Sequence, residues 1–120
     1  MDSGVDQMSG AKEYMEKLMQ ELRRGTITIG VLSQLSEPQY GYSLVAKLEE
    51  KDFHIEPGTL YPLLRRLEKQ GLLESMWDTN ETRPRKYYVL SEMGKEVYQL
   101  LIIEWNNIVQ SVNGIINGEE

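Results

Sequence analysis

Cysteine is absent from this 120-residue chain, and histidine occurs only once. The missing thiols exclude disulfides, thiolate metal sites and cysteine nucleophiles. No apolar run reaches the ~18 residues that a membrane-spanning helix needs, and residues 1–10 lack the apolar segment of a secretory signal. We therefore expect a cytoplasmic protein of about one domain that does not associate with membranes.

The charge of the chain is acidic overall but unevenly distributed. The formal net charge of −6 by itself disfavours nucleic-acid binding, which requires clustered lysine and arginine. Residues 57–90, however, hold six basic and four acidic residues, whereas residues 91–120 hold one lysine and five acids. Because binding follows the local field, screened over ~8–10 Å, the middle of the chain remains a candidate nucleic-acid surface.

The spacing of apolar residues predicts four helices in the first 71 residues. They cover residues 11–24, 26–35, 42–50 and 60–70. Gly25 is expected to separate the first two helices, and residues 1–10 to form a disordered tail. Pro57-Gly58-Thr59 opens the fourth helix, and Gly71 is expected to end it in the left-handed conformation.

A β-hairpin and a long helix are predicted for the rest of the chain. Residues 72–77 and 86–90 have the composition of strands and flank a polar, turn-rich segment. Residues 36–39 are predicted to form a turn, and Ser91 is a suitable N-cap for the last helix. That helix carries a heptad-like apolar seam at Val97, Leu101, Trp105, Ile108, Val112 and Ile115.

This order of elements predicts a mainly α fold with a small β-hairpin. It is typical of a winged helix-turn-helix, here with dimerisation helices at both ends. We expect a disordered tail over residues 1–10, a DNA-binding domain with an N-terminal helix over residues 11–92, and a dimerisation helix over residues 93–116. The expected dimer interface consists of Leu18, Leu22, Val97, Leu101, Trp105, Ile108 and Val112.

Two groups of polar and basic residues are candidate DNA contacts. The fourth helix carries Thr59, Tyr61, Arg65, Arg66 and Lys69. A helix in the major groove presents such side chains to base edges and phosphates, although a solvated helix face has the same composition. The hairpin carries Arg83, Arg85 and Lys86 around a proline. These cations suit a narrow minor groove, although lysine and proline also protect edge strands from aggregation.

Several linked motifs closely resemble the PadR family of bacterial transcriptional regulators. They are Tyr40-Gly41-Tyr42, the run from Gly58 to Glu68, Gly71-Leu72-Leu73 and the run from Arg85 to Lys95. The resemblance covers about residues 20–112 and implies a homodimeric winged-helix repressor that binds a palindromic operator and is released by a small-molecule or stress signal. It adds Tyr42 to the expected DNA contacts. It also places this chain in the short branch, whose single last helix mediates dimerisation.

Trp105 is a candidate for ligand binding. In some short members of the family a tryptophan at this place stacks on planar aromatic ligands between subunits, and Leu101 and Ile108 would flank it here. Packing in the dimer core is the simpler interpretation of Trp105 and is preferred. Trp77 is interpreted as packing within the wing.

An enzyme is not expected. The single His54 has no second histidine or paired acid at ligand or triad spacing, so no catalytic residue, metal or cofactor is predicted. Two other classes stay open, a winged-helix module for protein–protein contact and a ligand sensor without operator binding.

Overall fold

The computed structural model describes the backbone of residues 2–80 and 82–118 and the side chains from Gly10 onward within those ranges. Its helices are α1 (Asp2–Ser33), α2 (Gly41–Glu50), α3 (Pro57–Lys69) and α4 (Glu92–Asn117). Its strands are β1 (Gln39–Tyr40), β2 (Leu73–Asp78) and β3 (Arg85–Leu90). The mainly α fold class with a small hairpin is therefore confirmed. Helices α2 and α3 and the β2–β3 hairpin form a winged helix-turn-helix, in which this hairpin is the wing.

The core lies where the C-terminal part of α1, the two helices of the helix-turn-helix and the sheet meet. Leucine dominates this core, and each fully buried leucine side chain stabilises the fold by ~1.5–3 kcal/mol. The predicted apolar face of α3 is confirmed, because all four of its leucines are buried. The buried residues are Val31, Leu32, Leu35, Leu44, Leu48, Ile55, Leu60, Leu63, Leu64, Leu67, Leu73, Tyr88 and Leu90.

Helix α1 is longer than the sequence predicts. Gly25 does not separate two helices but lies inside one continuous helix, since glycine costs a helix only ~1 kcal/mol and lacks the steric block of proline. Val31 and Leu32 bury the last turns of α1 in the core, which offsets that cost. The backbone from Asp2 to Gly10 also belongs to α1, where a disordered tail was expected.

The sheet contains a strand that the sequence did not reveal. The predicted turn over residues 36–39 runs instead into β1, and the strand order is β1-β3-β2 with antiparallel pairing throughout. Gln39 pairs with Tyr88 and Tyr40 with Tyr87. A two-residue strand has no periodicity of its own, so only its partner β3 reveals it.

The start of α4 is locked onto the end of α3. Ser91 accepts a hydrogen bond from the backbone N–H of Gly94 at 2.9 Å and donates one to the carbonyl of Gly71 at 2.7 Å. Gly71 has a φ of 83°, which confirms the predicted left-handed cap. A Cβ on Gly94 would lie 2.0 Å from the carbonyl oxygen of Leu72, so only glycine allows this approach.

The two long helices leave apolar residues in solvent. On α1 these include Tyr14, Leu18 and Leu22, with exposed fractions of 73, 64 and 68%. On α4, Ile108 and Val112 are exposed, whereas Val97, Leu101 and Trp105 are half-buried. None of the helices in the described part of the chain is both long and apolar enough to cross a bilayer.

Candidate nucleic-acid interface

Helix α3 has an outward face opposite its buried leucines. At about 100° per residue, that face contains Gly58, Pro62, Arg65 and Lys69, all exposed. Tyr61 and Glu68 lie on the side of α3 that faces the start of α2 and β2. Thr59 and Arg66 lie on the side that faces α1. The predicted cations of α3 are thus divided, with Arg65 and Lys69 pointing outward and Arg66 turned toward α1.

Tyr61 is held against the first residue of α2. Its ring lies so close to Gly41 that a Cβ there would approach the ring to 2.4 Å and the hydroxyl oxygen to 2.9 Å. Gly41 is buried and Tyr61 is half-buried. Tyr61 therefore helps to fix α3 on α2, and its position depends on the glycine of the Tyr40-Gly41-Tyr42 motif.

Arg85 is fixed by aromatic rings rather than carried on a flexible tip. The rings of Tyr40 and Tyr42 stack with centroids 5.7 Å apart, and the guanidinium of Arg85 lies 5.6 Å from each centroid. Arg85 also donates a hydrogen bond to the Tyr42 hydroxyl oxygen at 2.7 Å. The structure thus brings together two predicted DNA contacts, Tyr42 and Arg85, at the base of the wing.

Tyr40 is the residue of this cluster that the predicted set of DNA contacts omits. Its hydroxyl donates a hydrogen bond to Asp78 Oδ2 at 2.5 Å, and this bond is the main reason that the pKa of Asp78 is lowered. Its ring also meets Tyr87 edge-on at 5.8 Å. The hydrogen bond ties β1 to the end of β2. The motif containing Tyr40 was visible in the sequence, but its partner Asp78 lies 38 residues away.

Lys86 lies on the inner side of the hairpin, which corrects the expectation of a cation at the tip. Its Nζ is 3.3 Å from Glu68 Oε1 on α3, and it lies 5.4 Å from the ring centroid of Tyr88 and 5.9 Å from that of Trp77. The reason is strand alternation, which points residues 86, 88 and 90 toward the core. The charge of Lys86 is therefore partly neutralised by Glu68.

Glu68 joins the wing to α3. It accepts a short hydrogen bond from the Ser75 hydroxyl, and this bond, followed by the contact with Lys86, lowers the pKa of the Glu68 carboxyl. Of the three predicted hairpin cations, only Arg83 lies at the exposed tip. Trp77 contacts Lys86 across the hairpin, but 63% of it remains exposed.

His54 lies in the exposed turn between α2 and α3, as expected for a surface histidine. Its Nδ1 is 2.7 Å from Glu49 Oε1, and its Nε2 is 2.9 Å from Glu56 Oε1. These two hydrogen bonds, the one to Glu49 first, raise the pKa of His54 above its ordinary value. The protonated ring thus links the end of α2 to the residue that precedes α3.

The model of the Transcriptional regulator PadR-like family matches residues 29–100, more than half of the chain. The chain belongs to this family. Its members are transcriptional regulators rather than enzymes, which agrees with a site built from cations and tyrosines.

Relatives of known structure and sequence agree with this family. A PadR family transcriptional regulator from Eggerthella lenta is 42% identical, with a TM-score of 0.85, over 90% of this chain and 96% of its own. Transcriptional regulator Rv3488 of Mycobacterium tuberculosis is 32% identical over 64% of this chain and 73% of its own. The structure of Bacillus subtilis PadR in complex with operator DNA is 20% identical, with a TM-score of 0.60 over 65% of this chain and 46% of its own, and shows a common fold.

Proposed function

We propose that this PadR-family protein binds a palindromic DNA operator as a homodimer, with α3 in the major groove. The observation that carries the proposal is the outward face of α3, where Arg65 and Lys69 follow Pro62 and lie beyond salt-bridge distance of every described carboxylate. Cations without acid partners keep their full attraction for phosphates and base edges. The operator complex of Bacillus subtilis PadR supports the proposal, because that protein shares the fold.

In this proposal, α3 and the β2–β3 hairpin make different kinds of DNA contact. Arg65 stands on a rigid helix, so it reads base edges, and a bidentate contact with guanine is the geometry that gives arginine its specificity. Arg85, held by Tyr40 and Tyr42, and Arg83 at the exposed tip contact phosphates or a narrow minor groove. Their contribution is mainly charge and is largely independent of sequence.

The dimer is proposed to form through α1 and α4, which contact each other within one chain. Leu18, Leu22, Ile108 and Val112 are exposed on these helices. Exposed apolar surface of this extent normally marks an interface. A two-fold axis between the subunits would place the two α3 helices on half-sites about 34 Å apart, or a multiple of that distance.

We further propose that the protein acts as a repressor relieved by a small-molecule or stress signal. A planar aromatic ligand would stack on Trp105 between the subunits, beside Leu101 and Ile108. The half-buried Trp105 on the helix proposed to mediate dimerisation supports this assignment. Quenching of tryptophan fluorescence by a panel of planar aromatic cations tests it, with Trp77→Phe as the background because Trp77 is the other tryptophan.

The DNA-binding proposal is tested by selecting preferred duplexes from a random pool and comparing them with unselected duplexes. Arg65→Ala should weaken binding to the selected duplex by ~1–3 kcal/mol and to the unselected duplex much less. Arg85→Ala should weaken both about equally and reduce the slope of log affinity against log salt by ~1. Lys12→Ala, an exposed lysine on α1 remote from α3 in sequence, is the control and should leave binding unchanged.

The same experiment distinguishes an operator-binding protein from the two other functional classes that the sequence leaves open. A protein–protein module or a sensor without operator binding would bind neither duplex, even at low salt, and would show no enrichment in the selection. A half-site periodicity in the selected sequences would support the palindrome.

A further inference from the structure

Two arginines of α1 lie beside the N-terminal half of α3. Arg24, Thr59 and Arg66 line one open groove of about 140 Å³ between the two helices. Arg23, Arg24 and Thr59 also line a second groove of about 380 Å³, which continues past the start of α3 to His54. Arg24 and Thr59 border both grooves, so the three arginines follow one side of α3 without interruption.

No carboxylate of the described residues cancels the charge of these arginines. Neither Arg23 nor Arg24 has a carboxylate within salt-bridge distance among the described residues, and the same holds for Arg66. Glu56 also lines the larger groove, but it is hydrogen-bonded to Nε2 of His54 at 2.9 Å. All three arginines are exposed, so their guanidinium groups are available to an external anion.

The continuity of α1 fixes the position of Arg23 and Arg24 beside α3. Arg23 and Arg24 precede Gly25, and the helix continues without a break to Val31 and Leu32, which are buried in the core. The pair therefore has a defined position relative to α3. Were α1 divided at Gly25, the arginines would belong to a separately moving helix.

We propose that Arg23, Arg24 and Arg66 form a phosphate-binding surface, here termed the arginine flank. This inference rests on the proposed function. The major groove is about 12 Å wide and is bounded by a phosphate strand on each side, so a helix inside it has phosphates at both of its flanks. Tyr61 lies on the side of α3 that faces the start of α2, and the arginine flank lies on the opposite side, which faces α1. We assign DNA as the ligand of the arginine flank for two reasons. A duplex bound at the outward face of α3, which carries Arg65, extends to this flank, and its phosphates complement the charge of the three arginines.

The arginine flank is tested on an unselected 40-base-pair duplex, because phosphate contacts do not depend on sequence. For the double variant Arg23→Ala/Arg24→Ala, we expect the slope of log affinity against log salt to fall by about 2, since each phosphate contact contributes about 0.9. The ratio of affinities for selected and unselected duplexes should stay unchanged. Arg23→Lys/Arg24→Lys should restore most of the slope, because a lysine keeps the charge.

Lys12→Ala/Lys17→Ala is the matched control, since it removes the same charge from exposed positions of the same helix. Circular dichroism and thermal melting establish that each variant is folded. Two results would show that the arginine flank does not bind phosphates, while leaving the proposed function intact. In the first, both double variants reduce the slope equally. In the second, Arg23→Ala/Arg24→Ala binds like the unmodified protein while Arg65→Ala loses selectivity. If the unmodified protein binds neither duplex at low salt, the proposed function itself is wrong.

Discussion

Arg85 and Lys86 are neighbours in sequence, yet they have different surroundings. Strand alternation places Arg85 over the stacked rings of Tyr40 and Tyr42, and Lys86 against Glu68 of α3. A half-exposed ion pair such as that of Lys86 contributes at most ~1 kcal/mol to stability, so its main effect is to orient the hairpin on α3. In the proposed complex Arg85 contributes to DNA binding directly, and Lys86 contributes through the position of the wing.

His54 makes the stability of the chain dependent on pH. Glu49 and Glu56 raise the pKa of His54 in the folded state. The histidine therefore holds its proton more tightly in the folded chain than in the unfolded chain. The resulting stability is fully present below the ordinary pKa of about 6.5 and is lost as the pH rises through the raised value. Arg23 and Arg24 line the same groove as His54. NMR titration should give a pKa for His54 above 6.5.

His54→Gln supplies the comparison in thermal melting. The unmodified protein should exceed this variant in melting temperature most at about pH 5.5, and the difference should shrink by about pH 8.5. An equal difference at both values would mean that the two carboxylates do not act on the histidine charge.

At the scale of elements, two glycines inside helices have opposite consequences. Gly94 lies where α4 meets the turn before β2, and a Cβ there would reach the carbonyl oxygen of Leu72. Gly25 lies inside α1, two turns before its end, and a Cβ there would meet nothing within 4 Å. The glycine at α4 is therefore required by packing, whereas the one in α1 only lowers helix stability.

Substitution of each glycine by alanine should change stability with opposite signs. Gly94→Ala forces α4 away from the backbone of Leu72 and should destabilise the protein by ~1–3 kcal/mol. Gly25→Ala should stabilise it by ~0.5–1 kcal/mol, because alanine is the better helix former and α1 is continuous. Urea denaturation followed by circular dichroism measures both changes. A loss of stability in Gly25→Ala would contradict a continuous α1.

At the scale of the whole molecule, the outlying halves of α1 and α4 determine the shape. The molecule extends over 60 × 40 × 23 Å, and its exposed apolar residues concentrate on these two helices. A single chain therefore presents basic groups at the helix-turn-helix and apolar surface at its terminal helices. In the proposed complex, the apolar surface holds two subunits together and the basic surface binds DNA.

Leu22→Glu and Ile108→Glu should each convert the proposed dimer into a folded monomer. Both residues are exposed, with fractions of 68 and 54%, so glutamate does not disturb the core of the single chain but opposes burial between subunits. Sedimentation velocity at micromolar concentration measures the change, and affinity for the selected duplex should fall with it. Met76→Glu, an exposed apolar residue of the wing, should remain dimeric. A monomeric unmodified protein would show the dimer proposal to be wrong.

The sequence alone determined the elements whose evidence is local. The leucine spacing of α3, the strand composition around the hairpin, the cap at Ser91 and the left-handed Gly71 all depend on residues a few positions apart. The linked motifs also determined the family. Local patterns of this kind were enough to predict the winged helix-turn-helix and the approximate position of its candidate DNA-binding face.

Tertiary structure decided the features that depend on residues distant in sequence. Strand β1 exists only through pairing with β3, and α1 continues through Gly25 because its last turns are buried in the core. The place of Arg85 depends on rings more than 40 residues earlier in the chain, and that of Lys86 on Glu68. Composition fixes which cations are present, but packing decides which of them face solvent, and the position of Arg23 and Arg24 beside α3 follows from packing alone.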